Sequence, residues 1–347
     1  MVSARSPLIS VVIPNWNGAS FLETCLASLR RQTYPPVEIV VVDNASTDDS
    51  LGVVRRLAPH ATVVRLERNR GFAGGVNAGL RAARGDWIAV LNNDTEVSEH
   101  WLQEVAAAAG RHPDASFLAC RILDLGDRAS LYSAGDCFLR AGVGYRRGQE
   151  RADCPRYRSE TEVFAACGCA ALYRKSVLEE AGGFDEELFA YFEDVDLGLR
   201  LQAAGHRGYY VPGAEVFHHG GGTSGGEFSP LAVRLRTRNA LLVLVKSVPG
   251  AVLVRSLPMI AAAQASWLAR CLARGRLWSY LRGAVAVVPR VPEALRGRRR
   301  LRRLWRQSSG RLWQAILRSE AMAREDFSTR AEARPSLFLH CYFRLFG

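Results

Sequence analysis

Two acidic clusters and one histidine have the residue types and spacing that chemistry requires. Glu193, Asp194 and Asp196 lie at the start of a predicted helix, and residues 91–94 (Leu-Asn-Asn-Asp) end an apolar strand. A later predicted strand delivers His218, followed by His219, and adjacent strand residues point to opposite faces, so one of the two faces the site. Carboxylates and an imidazole at strand ends are typical of sites for metal-assisted group transfer.

The elements that must position these residues alternate along the front of the chain. Strands separated by helix-sized segments predict a parallel sheet, in which ligands bind beyond the carboxyl ends of the strands. Asn15, Asp43 and residues 92–94 fall at such ends. Residues 124–160 predict a loop-like excursion over the site. Hydrophobic periodicity predicts strands at 8–14, 37–42, 61–66, 87–91 and 162–173, and helices at 21–29, 176–181 and 193–204.

Each motif taken alone leaves two interpretations open. Asp43 either accepts hydrogen bonds from a nucleotide or forms an Asx turn or helix cap. The glycine-rich segment 69–79 matches neither the dinucleotide fingerprint nor the phosphate loop, and its glycines also suit close helix packing. Residues 92–94 form either a metal-binding or a plain turn. Residues 193–196 supply either a general base or charges that complement a helix dipole.

Charge divides the chain into two predicted parts. Residues 1–233 contain 23 basic and 29 acidic residues, a net charge of −6, whereas residues 234–347 contain 23 basic and 5 acidic residues, a net charge of +18. An apolar content of 48% with 23% charged residues is globular rather than disordered. The sequence therefore predicts a front domain, 1–233, and an arginine-rich amphipathic helical region, 234–347.

The location of the protein follows from its cysteines and its apolar segments. The 8 cysteines form no Cys-x-x-Cys pair, and Cys167 and Cys169 are expected to share one strand face, which favours reduced core cysteines in the cytoplasm. No signal peptide is predicted, and no uncharged apolar run of 18 residues occurs. Residues 240–272 are interrupted by charges and prolines, so we expect them to lie in a membrane interface rather than to span the bilayer.

Seven segments together closely resemble family 2 glycosyltransferases of the GT-A fold, notably the bacterial rhamnosyltransferase-like group. The resemblance covers roughly residues 8–222. Its segments are 11–18 (VVIPNWNG), 42–48 (VDNASTD), 69–79 (NRGFAGGVNAG), 91–95 (LNNDT), 182–185 (GGFD), 192–196 (FEDVD) and 211–213 (VPG) with His218.

The resemblance implies an inverting transfer of a sugar, rhamnose being one candidate, from a nucleotide-diphospho-sugar to a glycan or lipid-linked glycan hydroxyl. Asp194 would be the general base, and Asp94 and His218 would hold Mg²⁺ or Mn²⁺. Asn92 replaces the first carboxylate of the family's Asp-x-Asp motif, so strict metal dependence is open. Asp43 would read the base. The predicted donor-binding set is Pro14, Asn15, Asn17, Asp43, Asn69, Gly71, Asn77, Asn92, Asn93 and Glu193.

The implied fold is a mainly parallel nucleotide-binding sheet flanked by helices, with a basic helical extension at the C-terminal end. The alternatives are a nucleotidyltransferase-like enzyme, which would need a basic glycine-rich loop that residues 15–18 lack, and a non-catalytic sugar-binding protein. The arginine run 296–306 could bind nucleic acid, but Leu301, Leu304 and Trp305 within it favour an anionic membrane surface. We therefore expect no nucleic acid partner and a cytoplasmic enzyme, peripheral at the inner face of the membrane. The sequence predicts no oligomeric state.

Overall fold

One large mixed sheet carries the front of the chain in the computed structural model, which describes residues 7–35, 37–220, 226–329 and 336–347. The strands are β1 (Ile9–Asn15), β2 (Val37–Asp43), β3 (Thr62–Arg65), β4 (Trp87–Leu91), β5 (Thr95–Val97), β6 (Ala115–Asp124), β7 (Ser130–Ser133), β8 (Asp136–Phe138), β9 (Gly144–Arg146), β10 (Arg151–Ala152), β11 (Thr161–Val163), β12 (Ala170–Arg174) and β13 (Arg207–His218). The helices are α1 (Ala19–Leu29), α2 (Ser50–Leu57), α3 (Gly71–Ala82), α4 (Trp101–Arg111), α5 (Lys175–Ala181), α6 (Glu193–Ala204), α7 (Pro230–Lys246), α8 (Gly250–Ala273), α9 (Leu277–Val285), α10 (Val291–Leu301), α11 (Ser309–Ser328) and α12 (Leu337–Phe346).

The sheet runs in the order β10-β7-β6-β12-β4-β1-β2-β3, and β1 to β4 are parallel to one another where they pair. Strands β1 and β4 are buried on both faces, which explains their continuous apolar sequences. The second half adds antiparallel pairs: β12 lies between β4 and β6, and β13 pairs with both β6 and β5. The predicted α/β fold class is confirmed.

Register brings the predicted site residues to one edge of this sheet. Asn15 pairs with Asp43 at the ends of β1 and β2, and Leu91 pairs with Ala170 at the end of β4. Because β13 is antiparallel to β5, its last residue, His218, pairs with Thr95 directly after the 92–94 turn. Residues from four distant segments therefore converge without any long irregular connection.

Two predictions from periodicity need correction. The strand expected at 162–173 is two strands, β11 and β12, separated by residues 164–169, although Cys167 and Cys169 are both buried as expected. The excursion 124–160 is not a plain loop, since it contains β7, β8, β9 and β10. These strands are only two to four residues long, too short to show a period.

The C-terminal helices pack onto the front of the chain. Helix α7 begins before residue 234 and ends after it, so the charge boundary falls within a helix. In the arginine run, Leu301 is buried and Trp305 packs against the core, so the expectation that they face a membrane is wrong. Most exposed large apolar side chains lie instead in α8 to α10 and α12. Among the described residues, α8 alone has the length and composition to cross a membrane, and it contains Pro258.

A buried ion pair joins α6 to its surroundings. Asp196 and Arg200 side chains are 1% and 5% exposed, with Arg200 Nε donating to the carboxylate at 2.8 Å. Arg200 also donates to the carbonyl oxygens of Ala181 and Gly183 at 2.7 and 2.8 Å, and the Ser247 hydroxyl donates to Asp196. Asp196 thus anchors the helix, and its carboxylate is fully committed to that role.

We predict that Asp196→Ala lowers the free energy of unfolding by about 3–5 kcal/mol, because it leaves the buried charge of Arg200 without its carboxylate partner. Urea unfolding measures the change. Glu293→Ala is the control, since that side chain is 51% exposed and its pair with Arg296 contributes about 0–1 kcal/mol. Equal losses for both variants would show that the Asp196 pair has no structural role.

Candidate active site

The ends of β1, β2 and β4 are linked by a chain of amide and carboxylate hydrogen bonds. Asn93 Nδ2 donates to Asn15 Oδ1 at 2.6 Å, and Asn15 Nδ2 donates to Ser46 Oγ at 3.3 Å. The Ser46 N–H donates to Asp43 Oδ1 at 3.1 Å. Asp43 therefore does form an Asx turn, and that turn fixes its buried carboxylate beside Asn15. A turn role and a nucleotide-binding role are compatible here.

The remaining predicted residues of the first loop hold it in place. Asn17 has a positive φ of 49°, and its Oδ1 accepts from the Thr47 N–H at 2.7 Å. Pro14 packs against Gly75 of α3, where a Cβ would lie 3.1 Å from the proline Cβ. Both residues fix the loop between β1 and α1, and the exposed Trp16 lies between them in sequence.

The glycine-rich segment serves close packing and also fixes a neighbouring loop. Asn69 Oδ1 accepts from the Gly71 N–H at 2.8 Å, and Asn44, which sequence reasoning missed, bonds Arg70 N–H and Gly71 C=O at 2.8 and 2.9 Å. Gly71 has a φ of +71°, and a Cβ there would collide with the carbonyl oxygen of Phe189. Glycine is required at this close approach.

Asn77 is turned toward the loop after α5. Its amide accepts from the Phe184 N–H at 2.9 Å and donates to the Phe184 carbonyl at 2.8 Å and to Glu186 at 3.1 Å. Every polar atom of this side chain has a protein partner. Asn77 therefore positions residues 184–186. Gly71, at the start of α3, supports the same stretch of chain through its close approach to Phe189.

Asp94 and His218 form a buried pair at the turn after β4. Their side chains are 7% and 5% exposed, and His218 Nε2 lies 3.2 Å from Asp94 Oδ1. Neither ring nitrogen of His218 has a hydrogen bond of normal geometry to any described residue, although both nitrogens are buried. The ring meets Tyr132 edge-on at 4.5 Å between centroids. A buried imidazole with both nitrogens unsatisfied next to a carboxylate fits a cation ligand set.

Electrostatics keep the Asp94 carboxyl ionised. Burial on its own raises the pKa of Asp94, but the adjacent His218 lowers it by more, so the pKa lies below its usual value. Asn92 is half-buried, and its backbone N–H donates to the Cys169 carbonyl at 2.8 Å. This bond places the 92–94 turn against the segment 167–169.

The same three-residue segment contacts the second acidic cluster. The Gly168 N–H donates to Asp194 Oδ2 at 3.1 Å, and the Val195 N–H donates to Asp194 Oδ1 at 2.8 Å. Asp194 is half-buried at the amino end of α6, where the helix dipole stabilises an anion. Burial, together with the neighbouring Asp194, raises the pKa of Glu193, whose Oε2 has no partner among the described residues.

Sequence reasoning missed one further carboxylate beside Asp194, that of Asp136. Ligand atoms of Asp136, Cys167 and Asp194 lie within 4.8 Å of one another. Asp136 belongs to the excursion that was expected to be a loop, and it accepts from the Ser133 hydroxyl at 2.8 Å. Burial first, and then the charge of Asp194, raise the pKa of Asp136 above its usual range, which favours the protonated acid. Arg146 stacks over Tyr132 at 4.4 Å, and Tyr132 in turn contacts the His218 ring.

The loop before Asp194 is strained and is held from α7. Phe189, Tyr191 and Phe192 all have positive φ values, of 66°, 68° and 71°. The amide nitrogen Nδ2 of Asn239 is fully buried and shares its two N–H groups among the carbonyl oxygens of Leu188, Ala190 and Tyr191, which lie 2.7 to 2.8 Å away. The available signal was weak, since Asn239 follows Arg234, Arg236 and Arg238 in the polar first half of α7.

Comparison with known proteins identifies the class of this site. The family model described as glycosyl transferase family 2 matches residues 10–182. The N-acetylglucosaminyl-diphospho-decaprenol L-rhamnosyltransferase of Mycobacterium tuberculosis is 32% identical over 241 residues, covering 61% of this chain and 76% of that protein. The chain therefore belongs to glycosyl transferase family 2 and is a glycosyltransferase.

Two solved structures share the GT-A fold. GalNAc-T7 with UDP, GalNAc and Mn²⁺ has a TM-score of 0.60 at 17% identity, covering 77% of this chain and 52% of that one. Residues 1–349 of TarS from S. aureus have a TM-score of 0.54 at 18% identity, covering 91% of both chains. At these identities the likeness shows the fold alone.

We predict that Asn239→Asp lowers kcat for sugar transfer by about tenfold or more, with little change in nucleotide affinity. The new oxygen faces three carbonyl oxygens, and each lost buried bond costs about 1–3 kcal/mol. Initial rates and calorimetric titration with the nucleotide measure the two effects. Thr237→Val, which alters another buried polar group of the same helix, is the control. Equal losses of turnover and nucleotide affinity would contradict a specific role in holding the 188–192 loop.

Proposed function

We propose that this enzyme transfers a sugar, with inversion, from a nucleotide-diphospho-sugar to a hydroxyl of a glycan or lipid-linked glycan during cell-surface polysaccharide synthesis. One observation carries the proposal. The segment 167–169 bonds both to the 92–94 turn, next to the Asp94–His218 pair, and to Asp194. These bonds support a proposed cation site for the leaving diphosphate next to a proposed base for the acceptor.

Asp194 acts as the base that takes the proton from the acceptor hydroxyl. Two backbone N–H groups orient its carboxylate at the amino end of α6. Asp43 and Asn15 bind the base and ribose of the donor at the ends of β1 and β2. Pro14, Asn17, Asn69, Gly71, Asn77, Asn92, Asn93 and Glu193 complete the proposed donor site, directly or by holding the loops that line it.

Asp94 and His218 are the proposed ligands of a divalent cation. A bound cation would neutralise the charge that develops on the leaving diphosphate. The unsatisfied, buried nitrogens of His218 support this assignment. Mg²⁺ is bound in proteins mainly by oxygen, so a carboxylate with an imidazole favours Mn²⁺. GalNAc-T7, which shares the fold, holds Mn²⁺ in its crystal structure.

The name of the mycobacterial relative specifies rhamnose and a diphospho-polyprenol acceptor. We extend both to this chain as the first candidates. Residues 1–233 would supply the donor site, and residues 234–347 would support the catalytic loop and contact the cytoplasmic face of the membrane. Exposed apolar side chains on α8 and α9, together with the net charge of +18, support that contact. A screen of nucleotide-sugars for sugar transfer to a short prenyl-diphospho-N-acetylglucosamine tests the substrate assignment, and failure with every donor would contradict it.

We predict that Asp194→Asn keeps the affinity for nucleotide and lowers transfer by about 10²-fold or more, because the amide cannot accept the acceptor proton. Product formation in a radiochemical assay measures the loss. Glu179→Gln, an exposed acid on α5, is the control and should be unaffected. Near wild-type turnover in Asp194→Asn, with loss in Asp136→Asn, would assign the base to Asp136 instead.

Metal removal should abolish transfer, and Mn²⁺ should restore it better than Mg²⁺. His218→Ala should weaken the response to Mn²⁺ by about tenfold or more, whereas His219→Ala should respond as the wild type does, since His219 packs against Phe21 instead. Titration of activity with each metal after chelation gives the result. Full activity in excess chelator would show that Asn92 marks a metal-independent site.

A further inference from the structure

A cluster of arginines lies between α7 and α9, away from the donor site. Arg234 and Arg238 are one helical turn apart on α7. Arg282 lies on α9, and Arg290 lies in the short turn that follows α9. With Ala286 they line a pocket of about 340 Å³. This volume falls within the usual range for small ligand pockets, about 300–1,000 Å³.

The close approach of the two helices depends on Gly283. A Cβ at this position would lie 2.5 Å from the carbonyl oxygen of Arg234 and 2.9 Å from the Thr237 Cβ. Because α9 can approach so closely, the guanidinium groups before and after Gly283 face those of α7. Like charges are thus gathered by the backbone packing, at an electrostatic cost that an anion would remove.

Acidic partners neutralise this cluster only in part. Glu187 forms an ion pair with Arg290 at 3.8 Å, but Arg234 and Arg282 form no ion pair with any described residue. Burial, followed by the charges of Arg290 and Arg234, lowers the pKa of Arg238 to about 10. Guanidinium groups with free donors are suited to phosphate oxygens, which they bind in a bidentate manner.

An exposed apolar ridge runs beside the arginines along α9 and into the short turn after it. Trp278, Leu281 and Val285 on α9 and Val288 in that turn are 65%, 40%, 67% and 69% exposed. The three on α9 are spaced i, i+3 and i+7, which places them in one row next to Arg282. A molecule that joins an anionic group to an apolar chain would satisfy both rows at once, and a soluble anion would leave the apolar row in water.

The pocket is also connected to the catalytic loop. Arg238 Nη2 donates to the carbonyl oxygens of Glu187 and Leu188 at 3.0 and 2.9 Å, immediately before the strained residues that lead to Asp194. An anion bound here would lie on the α7 side of the loop that carries the base.

We propose that this arginine pocket binds the diphosphate of a lipid-linked acceptor, with the prenyl chain along the apolar ridge of α9. The inference rests on the proposed function for its choice of lipid. It assigns to the tail a specific headgroup site, in addition to a general attraction to anionic membranes.

The test measures binding without turnover, so its outcome does not depend on transferase activity. Calorimetry in metal-free buffer would compare inorganic pyrophosphate with farnesyl diphosphate below its aggregation limit. We expect farnesyl diphosphate to bind at least tenfold more tightly, and Arg234→Gln/Arg282→Gln to weaken both ligands by at least about tenfold. Arg296→Gln/Arg303→Gln removes the same charge from α10 and the segment just after it, and is expected to leave both affinities within about twofold.

Three results would overturn the proposal. They are equal losses in the two double variants, equal affinities of the wild type for the two ligands, and tighter binding of a short RNA than of farnesyl diphosphate. Thermal unfolding at low salt guards against misfolding. Arg234→Gln/Arg282→Gln should unfold at the wild-type temperature or above it, because like charges have been removed, whereas a structural role would lower it.

Discussion

The loop from Leu188 to Phe192 must be held in a conformation that its own residues disfavour. Non-glycine residues with positive φ cost about 1–3 kcal/mol each, and Phe189, Tyr191 and Phe192 are all of this kind. The three bonds from Asn239 and the two from Arg238 offset this cost. The loop leads directly into α6, so the position of Asp194 depends on α7. Residues Arg238 and Asn239 of the basic tail therefore hold the loop that precedes Asp194.

The front of the chain solves a second problem, which is to bring carboxylates together without losing stability. Asp94 is stabilised as an anion by His218, Asp194 by two N–H groups and a helix end, and Asp196 by Arg200. Asp136 accepts a hydrogen bond from Ser133, whereas Glu193 Oε2 has no partner among the described residues, and burial with the nearby charge of Asp194 raises the pKa of both carboxyls. The two N–H groups and the helix end around Asp194 support its proposed role as the base.

The sequence predicted the elements and site residues whose signals are local. The apolar strands end at Asn15, Asp43 and Leu91, and α6 runs from Glu193 to Ala204 as its caps indicate. Parallel strands then bring the ends together. The contributions of Asp136 and Asn239 could not be predicted, because Asp136 lies in a three-residue strand and Asn239 acts on a loop some fifty positions earlier in the chain. The inward packing of Leu301 and Trp305 could not be predicted either, because the apolar residues of a basic segment can face a lipid surface or the protein core.

The central claim is a single displacement with one base. Asp136 lies within 4.8 Å of Asp194, close to the spacing of about 5–5.5 Å at which retaining glycosidases place an acid and a nucleophile. Proton NMR of the product during the first turnovers, compared with the donor, reports the anomeric configuration directly. We predict inversion, because a direct displacement by the acceptor hydroxyl needs one base, Asp194, and no protein nucleophile. Retention of configuration would contradict it and would require a covalent intermediate on one of the two carboxylates.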